Sequence, residues 1–255
     1  RFLIDGRREL TRAMACDIEL VELFVREPLI EPTQVSGDGA LPIRELIEQA
    51  IQSGASIYMT AANVFERLAF GDRNEGVVGV ATTPQPTLEA LSACLDVSSE
   101  AGPPLLGVLE RVEKPGNIGA VLRSADGAGL SGIILADGGT DLYNPNTVRA
   151  SMGTIFSTSC ATATTEETLA WLRDRGFQIF TARVEGSVPY ADVDFRGPSA
   201  IVLGNEANGL TARWEGEGIT PVRLPMRGLA DSLNVSVAAA VVFYEALRQR
   251  SERGG

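Results

Sequence analysis

Apolar positions along the chain fall into short runs of two kinds. Residues 2–4, 18–24, 56–60 and 77–81 alternate or cluster β-branched and apolar side chains as strands do, whereas residues 7–15, 42–53 and 61–70 space them three and four apart, the helical period. The same alternation resumes further on. Strand-like runs at residues 105–112, 132–135, 158–161, 178–182, 200–203 and 220–224 are separated by helical patterns from Ile118 onward, near 146–152, at 166–175 and at 233–249. Strands that alternate with helices predict α/β layers, and continuous apolar strands predict a mostly parallel sheet covered on both faces. Prolines at 84, 86, 103 and 104 bracket a short helical stretch at 88–95 and mark a break. The expected organisation is therefore a small α/β domain at 1–81, a linker at 82–104 and a second α/β domain at 105–255.

Composition narrows the chemistry. With 44% hydrophobic residues the chain can build real cores, and with no histidine it lacks the commonest general base and metal ligand. Cys16, Cys94 and Cys160 are odd in number and have no ligand spacing, so neither a disulfide framework nor a metal site is expected, and a reducing cytoplasm fits. No apolar run is long enough to cross a bilayer, so no membrane partner is expected. The chain opens at Arg1 and not Met, which points to residues preceding it. The net charge of −11 argues at first against a polyanionic partner. Divided along the chain, however, 8 basic and 16 acidic residues up to Pro103 give −8, and 14 and 17 beyond it give −3. All the cations except Lys114 are arginines, which fork onto phosphate and stack on bases.

Three loops of the second half follow strands, where open α/β sheets bind ligands. In the first, Pro115-Gly116-Asn117-Ile118-Gly119, Asn117 reads as a helix N-cap; the helix turns Ile118, Val121, Leu122 and Ala125 to one side and Gly119, Arg123 and Asp126 to the other. A plain cap and a surface Arg123–Asp126 pair explain these residues taken alone. The second, Leu203-Gly204-Asn205-Glu206-Ala207-Asn208-Gly209-Leu210, sets a carboxylate between two glycines. The third runs from Leu224-Pro225-Met226 to Ser232-Leu233-Asn234-Val235-Ser236, with Ser232 the expected cap of a last helix whose buried stripe is Leu233, Val237, Ala240, Val241, Tyr244 and Leu247. The spacing Gly116-x-x-Gly119 in the first loop is not G-x-G-x-x-G, and no G-x-x-x-x-G-K-[ST] loop occurs.

Together and in this order the three loops resemble the motifs N-x-G-x-x-x-R, L-G-N-E-x-x-G-L and L-P-M…S-L-N-V-S of the SpoU/TrmH family of SPOUT methyltransferases. The resemblance covers the second half; the first half is similar to the small ribosomal-protein-like RNA-binding domain that many rRNA-directed members carry. It implies a C-terminal α/β domain with a deep trefoil knot, a homodimer with its active site near the subunit interface, and S-adenosylmethionine as cofactor. By position, Leu203, Gly204, Leu224, Met226, Ser232, Leu233 and Asn234 would hold the cofactor. Arg123 matches the family's catalytic arginine, Asn117 its motif partner and Glu206 the motif carboxylate. The implied reaction is attack of a ribose O2′ on the sulfonium methyl group, with Arg123 as a clamp on phosphate and O2′ and the general base left open, since free guanidinium does not lose its proton. Arg149, Arg7 and Arg8, with Arg12 and Arg73, are candidate RNA contacts, and no metal is implied. The expected substrate is rRNA, plausibly 23S; some such members confer resistance to ribosome-targeting antibiotics, and no residue here decides that. The alternatives are a tRNA 2′-O-methyltransferase and, in another class, a non-catalytic RNA-binding relative.

Overall fold

The computed structural model describes residues 1–28, 37, 39–70, 75–97, 102–184 and 188–251. In chain order the strands and helices are β1 (Phe2–Asp5), α1 (Arg7–Ala15), β2 (Leu20–Glu27), α2 (Ile43–Gln52), β3 (Ser56–Ala61), α3 (Ala62–Leu68), β4 (Val77–Ala81), α4 (Leu88–Val97), β5 (Leu105–Glu110), α5 (Pro115–Gly127) and β6 (Gly132–Ala136). There follow α6 (Pro145–Ala150), β7 (Cys160–Ala163), α7 (Thr165–Asp174), β8 (Gln178–Ala182), β9 (Val188–Pro189), β10 (Ser199–Leu203), β11 (Ile219–Arg223) and α8 (Val235–Ser251). The chain forms two compact units, Arg1–Pro84 with Leu142–Ser157, and Gln85–Asp141 with Thr158–Gly255.

In the first unit the sheet order is β1-β4-β2-β3, with β4 antiparallel to both neighbours and β2 parallel to β3. Ile4, Leu10, Leu23, Val25, Ile43, Leu46, Phe65 and Val77 are buried. Helix α1 packs so closely on β4 that a Cβ at Gly79 would lie 2.5 Å from Leu10 Cδ2. Residues 142–157, expected in the second domain, pack here: Tyr143 and Phe156 lie against Phe2 at ring-centroid distances of 4.9 and 6.1 Å, and Arg12 donates to the Met152 carbonyl at 2.6 Å. Aromatic burial around Phe2 draws this segment out of the later half.

The second unit is a seven-stranded sheet in the order β7-β6-β5-β10-β8-β11-β9, parallel throughout. Every residue of β5, β6 and β10 is buried, as strands covered on both faces require. Helices α5 and α8 pack on one another, and Phe243 of α8 reaches β5, where a Cβ at Gly107 would lie 2.9 Å from its ring. From β5 the chain proceeds through β6 to β7 on one side, while β10, β8, β11 and β9 lie on the other. The β5/β10 boundary is thus the point where strand order reverses, and a cleft opens beyond the carboxyl ends of β10 and of its neighbours β8 and β11.

Two local expectations change. Helix α5 begins at Pro115 with Lys114 in the cap position, so Asn117 lies inside the first turn, and its side chain is free to face other loops. Proline suits that first position because it has no N–H to leave unpaired. Helix α8 begins at Val235, two residues later than expected, and Asn234, not Ser232, accepts from the backbone N–H of Ser236, at 2.9 Å. Its buried side is Val235, Ala239, Val242, Phe243 and Ala246, whereas Leu233, Val237 and Tyr244 of the expected stripe are 40%, 48% and 50% exposed. The helix is apolar on both sides, so periodicity alone cannot decide which side meets its own sheet.

Candidate active site

The crevice is built by three loops. After β10, Gly204 and Gly209 close a tight turn: a Cβ at Gly204 would lie 2.3 Å from the Gly209 carbonyl carbon, and Gly209 has φ +65°. Only glycine fits both demands. Within the turn, Asn205 Oδ1 accepts from Ala207 N at 2.8 Å, and Asn205 Nδ2 donates to the Arg111 carbonyl just past β5 at 2.9 Å. Glu206 at the tip accepts a hydrogen bond from Asn117 Nδ2 in α5. Asn117 Oδ1 in turn accepts from Asn234 Nδ2 at 3.3 Å, and Asn234 Oδ1 takes the Ser236 N–H and hydroxyl. One residue from each loop therefore joins a single polar chain, Glu206–Asn117–Asn234.

Beside this chain lies a cleft of about 390 Å³ whose walls include Leu203, Gly204, Glu206, Leu224, Met226, Ser232 and Leu233. Six of the seven residues assigned to the cofactor from sequence line it, and Asn234 stands next to them in the polar chain. Apolar side chains such as Leu203, Leu224 and Leu233 beside polar ones such as Asn205 and Ser232 suit a flat heterocycle with a polar edge. Sequence reasoning missed Ala182 and Arg183 at the end of β8, and Val235 and Ala238 in α8, which also line the cleft. No motif flags them, because strand order is what brings them to the cleft. Arg123 is outside the lining: it is exposed on α5, about 9 Å along the axis from Asn117 at 1.5 Å per residue, and no ion pair among the described residues engages it.

The arginines expected at RNA sit differently. Arg7 is 6% exposed, with its Nε donating to the Leu41 carbonyl at 3.2 Å. Arg8 pairs with buried Glu9 at 2.5 Å, its side chain 11% exposed. Arg12 holds Met152, and Arg149 donates to the Phe70 carbonyl at 3.1 Å. The guanidinium groups of Arg7 and Arg8 are largely enclosed within the first unit and face protein acceptors, although the buried Arg8 Nε has no hydrogen-bond partner. Arg73 lies outside the described residues. Among the described residues no group of three His, Cys, Asp or Glu side chains could hold a metal ion, and no helix is long and apolar enough to cross a membrane.

A parallel sheet with a loop-walled cleft beyond the carboxyl ends of β8, β10 and β11, and no glycine-rich turn leading from a strand into a helix there, fits an α/β enzyme that binds a nucleoside-sized ligand through loops. Residues 104–244 match the family model described as the SpoU rRNA Methylase family, and the chain belongs to that family. Among its relatives, the 23S rRNA (uridine(2479)-2′-O)-methyltransferase of Streptomyces viridochromogenes is 35% identical over 193 residues, which is 72% of this chain and 64% of that protein. The 23S rRNA (guanosine-2′-O-)-methyltransferase RlmB of Ralstonia nicotianae is 33% identical over 214 residues, covering 82% of this chain and 83% of that protein. The crystal structure of an AdoMet-bound rRNA methyltransferase from Sinorhizobium meliloti superposes with a TM-score of 0.80 at 28% identity, over 97% of this chain and 87% of that one.

Proposed function

We propose that the chain transfers the methyl group of S-adenosylmethionine to a ribose 2′-hydroxyl of 23S rRNA. The observation that carries this is the polar chain Glu206–Asn117–Asn234, which ties the three motif loops together at the edge of the cleft. The cleft residues fit the cofactor: Leu203, Leu224, Met226 and Leu233 supply apolar walls, and Gly204 and Ser232 supply close main chain and a hydroxyl. When bound, the cofactor supplies a methyl group on a sulfonium leaving group. Asn117 and Glu206 hold the loop tips, and Arg123 clamps the RNA phosphate and O2′ from the exposed side of α5. Related proteins named for rRNA and an AdoMet-bound neighbour support substrate and cofactor.

The finer architecture follows the family. The loops after β10 and β11 would form a trefoil knot, and the first unit would act as the ribosomal-protein-like RNA-binding domain, in a cytoplasmic enzyme. A homodimer is supported by the second apolar side of α8, where Val237 and Tyr244 stand exposed, and by Leu233 exposed just before the helix. Leu233 also lines the cleft, which would put the active site at the subunit boundary. The test is turnover on rRNA by an Arg123→Ala variant. An exposed helix position tolerates alanine, so the melting temperature should stay within about 2 °C of the parent while kcat falls roughly 100-fold or more. Equal turnover would remove Arg123 from the mechanism.

A further inference from the structure

Glu110 ends β5 fully buried, outside the three motif loops and behind the lining of the cleft, which it does not itself join. Its oxygens meet three donors: Oε2 accepts from Thr211 N at 2.8 Å, and Oε1 accepts from Thr211 Oγ1 at 2.5 Å and from Thr165 Oγ1, at the start of α7, at 3.2 Å. Thr211 is held from its other side too, because Arg183 Nη2 at the end of β8 donates to the Thr211 carbonyl at 3.0 Å and to that of Trp214 at 3.2 Å. Thr211 directly follows the Gly204–Leu210 turn that walls the cleft. A buried carboxylate without donors would be costly, whereas one filled by three becomes a rigid anchor, stronger than neutral hydrogen bonds.

We infer that Glu110, through Thr211, is a positioning residue that presets the Gly209 end of this turn for the cofactor. The inference rests on the cleft being the cofactor site. The two ends of the turn have separate ties. Asn205 and Glu206 are fixed by the Arg111 carbonyl and by Asn117, while the Gly209–Thr211 end is fixed by Glu110 and Arg183. Loosening the second end leaves the polar chain at Glu206 in place. The loss should therefore fall on cofactor affinity more than on the chemical step, as expected when the support of a binding loop is removed.

Steady-state kinetics of the full chain against S-adenosylmethionine at fixed rRNA separate the two. Glu110→Gln keeps the size but loses acceptor strength and points an NH2 at donors, and Thr211→Val removes the hydroxyl alone. The KM for cofactor should rise about tenfold or more in each, with kcat at saturating cofactor within about threefold of the parent. Thr211→Ser keeps both donors and should bring KM back to within about threefold. If Glu110→Gln does not fold, the Thr211→Val and Thr211→Ser pair carries the comparison. A lower melting temperature with unchanged KM in the Thr211 variants would overturn the inference and leave Glu110 a purely structural group. Gly204→Ala, which drives a Cβ into Gly209, is the control for the cleft itself. Raised KM there with parental KM in the Glu110 and Thr211 variants rejects the anchor alone, and parental KM in all of them rejects the cleft as the cofactor site.

Discussion

Asn117 reads in the sequence as a cap, and the structure makes it the link between two other loops. The residue type was informative, because an amide both donates and accepts, but its partners Glu206 and Asn234 lie 89 and 117 positions away and no local pattern can name them. Glu110 was passed over for a similar reason: one acid ending an apolar strand looks exposed until Thr211 and Thr165 are folded onto it. Asp5 shows a residue-scale effect on stability. Burial pushes its carboxyl up from 3.8 to about 6, against the pull of the Phe70 N–H it accepts at 2.6 Å and of the Arg149 charge. Below pH 3.8 the group is protonated in both states and costs nothing. As pH rises from there to about 6, the unfolded chain releases its proton while the folded one retains it, so stability falls across that window and stays lower above it. Asp5→Asn keeps an acceptor for Phe70 and removes the proton linkage. It should flatten the stability profile between about pH 4 and 6 and gain roughly 1 kcal/mol at pH 7, a value reduced for solvent screening of a half-buried group. Urea denaturation at several pH values checks this, and parallel profiles for variant and parent would contradict it.

Among the elements, strands were the most legible. The fully apolar runs of β5, β6 and β10 announce a sheet covered on both faces, and that is how they pack. Helix α8 was legible as a helix and misread as a surface. Its residues repeat with apolar spacing on two sides, and the buried side, which carries the small residues Ala239 and Ala246, packs on α5 and β10, with Phe243 reaching Gly107 of β5. The side left open, with Val237 and Tyr244, needs another partner, and a second copy of the chain is the proposed one. A charge placed there has to be buried or to break the contact. Val237→Glu should weaken the dimer by about a hundredfold or more in Kd, giving monomers in sedimentation equilibrium at micromolar concentration, with the melting of the single chain little changed. An unaltered dimer would move the subunit interface elsewhere, and a parent that sediments as a monomer would remove it.

At the scale of the whole molecule, the break at the prolines near residue 84 was visible from composition, and the return of residues 142–157 to the first unit was not. That return depends on Phe2 meeting Tyr143 and Phe156, a packing choice between residues 141 and more positions apart. It also means that removing the residues before 82 would uncover these rings, so truncation is a poor probe of what the first unit does. The function proposed for the intact chain has a more direct test. Offered total rRNA and tRNA with labelled S-adenosylmethionine, the protein should label 23S rRNA at one nucleotide, and the adjoining phosphodiester should resist alkaline hydrolysis, because a methylated O2′ cannot attack it. Label confined to tRNA would contradict the ribosomal substrate, and a labelled nucleotide still cleaved by alkali would contradict ribose methylation itself.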